Sequence, residues 1–231
     1  MNVIITGASR GIGKAIAEIF AAHGCHLFLC SKNEKVLLSA AEELQKKYPG
    51  IIIKAKAFDL ARDAGSAGKW ILDEGVVPDI VINNAGSFEP GNVYNEPEGL
   101  LEQQMGSNVY SAYHFTRKLL PKMMERKSGH IFNICSVASL KAYPNGGAYS
   151  ISKFALHGFS KNLREELMSF NIKVTSVFPG AVFTDSWGNF DNSAGRIMVA
   201  RDIAAMVHAA SQLSPAACVE EIVIRPQSGD L

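Results

Sequence analysis

The chain has 231 residues, 47% of them hydrophobic and 19% charged, enough for one well-buried α/β domain. Lys and Arg total 23 against 22 Asp and Glu, a net charge of +1, and the basic residues are scattered, so no nucleic-acid partner is expected. No window reaches the roughly 18 apolar residues that cross a bilayer, and no basic leader precedes an apolar stretch. The six histidines lack ligand spacing and the four cysteines lack a CxxC pairing. The expectation is a soluble, unprocessed, cytoplasmic protein with reduced thiols, no membrane association and no metal.

Short apolar runs bounded by Gly, Asn, Asp or Pro recur at 3–6, 26–30, 51–58, 79–83, 130–135, 173–178 and 221–225. Several are apolar on both faces, as strands covered on both sides of a sheet must be. Helical patterns fill the gaps at 12–23, 33–47, 62–74, 103–126, 148–169 and 201–213. The alternation predicts an α/β fold: a Rossmann-like, doubly wound parallel sheet of about seven strands with helices on both faces, in three layers. Residues 1–231 read as a single domain. The one long irregular stretch, GAVFTDSWGNFDNSAGR at 180–196, reads as a substrate-binding loop.

TGASRGIG, residues 6–13, joins the first strand to the first helix. Gly7, Gly11 and Gly13 would let backbone amides approach a pyrophosphate at the positive end of that helix. A tight turn alone would also use these glycines, but their placement favours a dinucleotide. An NAD site of this type carries an acidic residue at the end of the second strand, about 20 positions on, to hold the ribose 2′-hydroxyl. Here that end reads Cys30, Ser31 and Lys32, with no carboxylate before Glu34. Arg10 and Lys32 offer charge, and Ser31 a hydrogen bond, to a 2′-phosphate. NADP(H) is therefore the expected cofactor, with NAD(H) the alternative.

The fifth strand ends in NICSVAS, which puts Ser136 at the carboxyl edge of the sheet, where ligands bind in doubly wound folds. Tyr149 and Lys153 follow in AYSISKFALHGF, four residues apart and so on one helix face. A tyrosine with a pKa of about 10 is a poor base at neutral pH, and moving it by about 3 units takes roughly 4 kcal/mol. An ammonium about 4 Å away, at an effective dielectric of about 20, interacts with that order of energy. The pair thus suits a proton donor and its electrostatic tuner. Ala148, Ser152 and Ala155 around it leave space for a cofactor or a neighbouring helix.

With TGASRGIG, NNAG at 83–86, Asn108 in MGSNV, Ser136, YSISK at 149–153 and PGAVFT at 179–184, the chain resembles the single-domain short-chain dehydrogenase/reductases. These motifs stand in the family's order and span essentially the whole chain. The resemblance implies that Ser136 hydrogen-bonds a substrate oxygen and that Tyr149 transfers the proton. It implies that Lys153 lowers the tyrosine's pKa and holds the nicotinamide ribose, and that Asn108 anchors a proton-relay water. Gly7, Ser9, Gly11, Ile12 and Gly13 would line the pyrophosphate, and Asp59 and Leu60 would contact the adenine. Asn83, Ala85 and Gly86 would form the floor under the adenine ribose. Pro179, Gly180, Val182 and Thr184 would meet the nicotinamide end. Cys135 departs from a common Ser and reads as a buried substitute, not a nucleophile.

The family implies hydride transfer between a nicotinamide and a small carbonyl or alcohol substrate, without naming it. Phe183, Trp187 and Phe190 in the 180–196 loop are the candidate substrate contacts, together with SVASLKAYPNGG before Tyr149. PGAVFTDSWGN and the tail VEEIVIRPQSGDL are similar to bacterial sepiapterin reductases, and similar tails occur in 3-oxoacyl carrier reductases. A sepiapterin-type diketone leads the named substrates. A non-catalytic NADPH-binding sensor would have lost Ser136, Tyr149 or Lys153, and a sugar-nucleotide epimerase would need an added substrate domain. The helices at 103–126 and 148–169 correspond to the family's subunit interface, so a homodimer or homotetramer is expected.

Overall fold

The computed structural model describes residues 1–188 and 190–229. Asn189 of the expected loop and the last two residues of the C-terminal run lie outside the described residues. The strands are β1 (Asn2–Thr6), β2 (His26–Ser31), β3 (Ile53–Ala57), β4 (Ile80–Asn83), β5 (Gly129–Ile134), β6 (Ile172–Pro179), β7 (Val182–Phe183), β8 (Met198–Val199) and β9 (Glu221–Ile224). The helices are α1 (Gly11–Ala22), α2 (Glu34–Lys47), α3 (Leu60–Asp73), α4 (Leu100–Met105), α5 (Ser111–Arg126), α6 (Gly147–Leu167) and α7 (Ala200–Ser211).

Seven strands form one parallel sheet in the order β3-β2-β1-β4-β5-β6-β9. Strand alternation sends Val3 and Ile5 of β1, with Leu27 and Leu29 of β2, into a core with Ile16, Phe20, Leu37 and Val207 of α1, α2 and α7. Ile4, Phe28 and Cys30 face the opposite layer, against Leu60, Ile71, Phe115, Leu119 and Leu163 of α3, α5 and α6. Both faces are therefore buried, which is why these strands read as continuous apolar runs. The strand order reverses between β1 and β4, so the carboxyl ends of those strands frame a crevice. Among the described residues, no helix is long and apolar enough to cross a membrane.

Two segments differ from the sequence expectation. The helix expected over 103–126 is divided: α4 leads into a π-helical turn, Gly106–Tyr110, before α5 begins. The widened turn shifts the helical phase and buries Asn108 and Val109 beside Ser111 and Ala112. The stretch 180–196 is only partly irregular, because β7 pairs with β8 and a 3₁₀ turn covers Asp185–Trp187.

Candidate active site

The crevice at the end of β1 starts from two glycines with positive φ, Gly7 at +64° and Gly11 at +54°, a conformation that side chains disfavour. A Cβ on Gly7 would lie 2.8 Å from Asn84 Nδ2, and one on Gly11 would lie 3.2 Å from Thr184 Cγ2. A Cβ on Gly13 would overlap the carbonyl oxygen of Gly7. Gly13 does not line the cleft; it packs α1 closely on the turn.

Thr6 and Asn84 hold this turn. Thr6 Oγ1 accepts from the backbone N–H groups of Asn84 and Ala85, both at 3.0 Å, and donates to Ile82 O at 3.2 Å. Asn84 Nδ2 donates to Thr6 O at 3.0 Å and Gly7 O at 3.1 Å. Asn83, expected in the floor of the cleft, does not line it. Its Nδ2 donates to Thr116 Oγ1 and Asn133 Oδ1, both at 2.8 Å, and Asn133 Nδ2 donates to Ser160 Oγ at 2.7 Å. Successive residues at a strand end face opposite ways, and the one that reaches the glycine turn is Asn84. The sequence reading gave Asn84 no role of its own, although the NNAG motif contains it.

The cleft has a volume of about 1730 Å³, above the roughly 300–1,000 Å³ of ordinary small-ligand pockets and enough for a dinucleotide with a substrate beside it. Ser9, Arg10, Gly11 and Ile12 line it from the turn, and Ser31, Lys32, Asp59 and Leu60 from the β2 and β3 side. Ala85 and Gly86 form the middle, and Pro179, Gly180, Val182 and Thr184 the far wall. Ser9 and Ser31 share a hydroxyl hydrogen bond of 2.9 Å. Lys32 Nζ lies 2.9 Å from Asp59 Oδ2, and that bond holds the Asp59 carboxyl below its usual pKa. Arg10 lies 3.8 Å from Asp185. The open glycine turn, the amino end of α1 and hydroxyl and cationic side chains at the β2 end fit a dinucleotide with an anionic group on its ribose.

Ser136, Tyr149 and Lys153 converge on the same cleft. Ser136 stands two residues beyond β5 and its Oγ accepts from Ala138 N at 3.1 Å, in a capping box with Ser139. Lys153 is 6% exposed and donates from Nζ to Ile134 O at 3.0 Å. Burial pushes its pKa down to about 8. Its Nζ stands 5.7 Å from the centroid of the Tyr149 ring. Tyr149 differs from the sequence expectation: burial raises its pKa, hydrogen bonding with Ser136 pulls the other way, and Cys135 adds to the rise. Burial pushes the Cys135 thiol up to about 11, so it is neutral at pH 7.

Asn108 does not line the cleft; it stands behind Gly86, whose Cβ would lie 2.6 Å from Asn108 Oδ1 and 3.6 Å from Lys153 Nζ. Its Oδ1 accepts from Ser87 N at 2.8 Å, and its Nδ2 faces Ser87 O at 3.1 Å, Gln104 Oε1 at 2.9 Å and Ser152 Oγ at 2.9 Å. Ser152 in turn donates to Tyr149 O at 2.7 Å, so it serves as a link and not merely as a small residue. Ser150 Oγ donates to Ala138 O at 2.9 Å and ties the Ser136 turn to α6. The sequence reading missed Ser150, and a serine on a helix carries no distinguishing signal.

On the substrate side, Phe88 packs edge-on against Tyr149, ring centroids 4.8 Å apart. Phe88, Tyr143 and Trp187 all line the cleft, and Trp187 Nε1 donates to Val182 O at 2.8 Å. Of the three aromatic residues expected over the substrate, Trp187 lines the cleft and Phe183 and Phe190 do not. Phe183 follows the inward Val182 on β7 and turns outward, 40% exposed, while Phe190 packs behind Trp187 at 5.1 Å.

A parallel sheet with a switch-point crevice, a glycine turn and a Ser, Tyr and Lys set at one rim define a dinucleotide-dependent oxidoreductase. Residues 1–194 match the family described as "short chain dehydrogenase", and the chain belongs to that family. It is 34% identical to a sepiapterin reductase from Chlorobaculum tepidum, over 99% of this chain and 97% of that one. It is 32% identical to a 3-oxoacyl-acyl-carrier-protein reductase from Chlamydia muridarum, over 79% of this chain and 74% of that one. Among solved structures, the closed form of a serine dehydrogenase complexed with NADP+ superposes with a TM-score of 0.88 at 26% identity, covering 100% of this chain and 97% of that one.

Proposed function

We propose that this oxidoreductase is a single-domain, NADPH-dependent carbonyl reductase in which Tyr149 is the proton donor. The observation that carries the reading is the meeting of Ser136, Tyr149 and Lys153 at one rim of a cleft large enough for a dinucleotide. Bound nicotinamide supplies the hydride. Ser136 Oγ hydrogen-bonds the carbonyl oxygen and orients it toward the phenol. Tyr149 gives that oxygen its proton in reduction and takes it back in oxidation. Lys153, anchored on Ile134 O, places its charge beside the phenol and the ribose end of the cleft. The water expected at Asn108 is left to the backbone of the π turn, because the side-chain amide is committed to Ser87, Gln104 and Ser152.

The cofactor reading rests on the β2 end, where Ser9, Arg10, Ser31 and Lys32 gather and the strand itself ends in Ser31 and Lys32 instead of an acidic residue; the NADP+ in the related serine dehydrogenase agrees with it. The aromatic wall of Phe88, Tyr143 and Trp187 suits a flat substrate, and the similarity to a sepiapterin reductase makes a sepiapterin-type diketone the leading candidate. The 3-oxoacyl thioesters are the second reading, supported by the 32% identity to a reductase of that class. The test is cofactor oxidation over sepiapterin, simple diketones, an acetoacetyl thioester and a keto-steroid, with NADPH and NADH compared. Turnover of a diketone with preference for NADPH is expected; no turnover of any carbonyl, or a clear NADH preference, contradicts the proposal.

Tyr110, Tyr113, Ile151 and Phe154 are exposed on the α5 and α6 side, between 37% and 49%, and a homodimer through that face would cover them. Light scattering at micromolar concentration tests this, and a monomer alone would oppose it. Four free cysteines, three of them buried, suit a reducing cytoplasmic setting.

A further inference from the structure

Helix α6 carries Tyr149 in its first turn, yet it begins at Gly146 and Gly147 with no side chain of its own to cap it. The cap comes from elsewhere in the chain. The backbone N–H of Ala148 donates at 2.7 Å to Oε1 of Glu96, 52 residues earlier, in the strap that joins β4 to α4. A carboxylate accepting a helix N-terminal amide makes a charge-assisted bond at the positive end of the helix dipole.

Both sides of the contact are shaped for it. Gly147 has φ +27°, and a Cβ there would overlap the Glu96 carboxylate. On the strap, a Cβ on Gly91 would lie 2.7 Å from Glu96 Cγ. A reciprocal pair locks the two segments beside the carboxylate: Asn145 N donates to Asn92 Oδ1 at 3.0 Å, and Asn92 Nδ2 donates to Asn145 Oδ1 at 2.8 Å. Gly91 N also donates to Asn145 O at 3.0 Å. At the other end of the strap, Asn108 holds Ser87 on both its N–H and its C=O. Phe88, between the two anchors, is the residue that packs against Tyr149.

We propose that Glu96 is a positioning residue for catalysis: by capping α6 one residue before Tyr149, it fixes where the phenol stands relative to Ser136 and Lys153. Glu96 does not line the cleft. The inference rests on Tyr149 being the proton donor. A shift of about 1 Å in a reacting group costs on the order of 100-fold in rate, so loss of the cap should appear in kcat and leave cofactor binding intact.

The test uses the whole protein and compares Glu96→Ala, Glu96→Gln and Tyr149→Phe. Steady-state kinetics with NADPH and the best carbonyl substrate are read beside hydrogen exchange of residues 147–153. Glu96→Ala is expected to lower kcat about ten-fold or more with KM for NADPH unchanged, and to speed exchange in 147–153 but not in α1 or the sheet. Glu96→Gln keeps an acceptor for Ala148 N–H and should restore kcat to within about three-fold. Where Glu96→Ala does not fold, Glu96→Asp, which withdraws the carboxylate by one methylene, should give the same pattern in weaker form. A capless variant with kcat within about two-fold of the parent overturns the proposal. So does exchange that rises throughout the protein while NADPH binding and kcat fall together, because Glu96 would then serve global stability alone. If Tyr149→Phe keeps full activity, the underlying reading fails whatever Glu96 does.

Discussion

Lys153 donates its ammonium to the carbonyl oxygen of Ile134 at 3.0 Å and holds Nζ 5.7 Å from the centre of the Tyr149 ring. The lysine is thus fixed by the end of β5 and not by the phenol. Burial lowers its pKa from 10.5 to about 8, so folding works against the charge that catalysis uses. A group with a lowered folded pKa binds fewer protons folded than unfolded between those two values. Stability contributed by this group therefore rises with pH from about 8 toward 10.5, and below about 8 the full cost of burying the ammonium is present. That cost is on the order of 3 kcal/mol. Lys153→Met should abolish reduction, gain about 1–2 kcal/mol of stability at pH 7 and lose the alkaline rise, as measured by urea unfolding at several pH values. A destabilised Met variant would contradict this.

His130 gives the opposite end of the pH scale. It is 5% exposed, stacks on Phe132 and bonds through Nε2 to Thr175 Oγ1 at 2.7 Å. Burial, with Lys173 adding to it, pushes its pKa down to about 3 from 6.5. The unfolded chain takes up this proton first, so stability falls as pH drops from 6.5 toward 3, by about 1.4 kcal/mol per unit at most. His130→Gln should flatten the acid limb of the unfolding free energy, and an unchanged limb would count against the assignment.

Gly13 lies outside the cleft, yet a Cβ there would collide with the Gly7 carbonyl. Gly13→Ala is expected to push α1 off the turn and to weaken NADPH binding about ten-fold or more while the secondary structure survives, read by fluorescence titration and circular dichroism. Affinity within about two-fold of the parent would show that the turn does not depend on this packing.

Cofactor choice is predicted to depend on Ser31, whose hydroxyl meets Ser9 at 2.9 Å at the end of β2. Ser31→Asp places a carboxylate where a 2′-phosphate is expected, so the ratio of kcat/KM for NADPH over NADH should drop by about ten-fold or more. An unchanged ratio would move the phosphate site elsewhere.

Legibility in the sequence followed how local each signal is. The doubly wound sheet could be read because two-sided burial leaves continuous apolar runs, and the glycine turn because positive φ selects residue type. That Tyr149 and Lys153 share one helix face could be read because four residues make about one helical turn, and Ser136 because it follows a strand end at the carboxyl edge of the sheet. Asn108 was expected, but its π turn was not, since one residue of extra helical phase leaves no mark on an apolar pattern. Asn84 was not singled out beside Asn83 because identical neighbours differ only in the side of the strand they face. Phe183 was expected at the substrate and turned out on the outer side of β7 for the same reason. Glu96 and Phe88 stayed silent because their meaning lies in contacts 52 and 61 residues away, with Ala148 and Tyr149.

The central claim is that Tyr149 moves the proton, and the most direct measurement is single-turnover reduction of the best carbonyl substrate by parent and Tyr149→Phe proteins, both saturated with NADPH. Loss of a general acid costs about 100-fold to 10,000-fold, so the Phe protein should bind NADPH as tightly as the parent and lose at least 100-fold in rate. A Phe protein that reduces the substrate at the parent's rate would contradict the account.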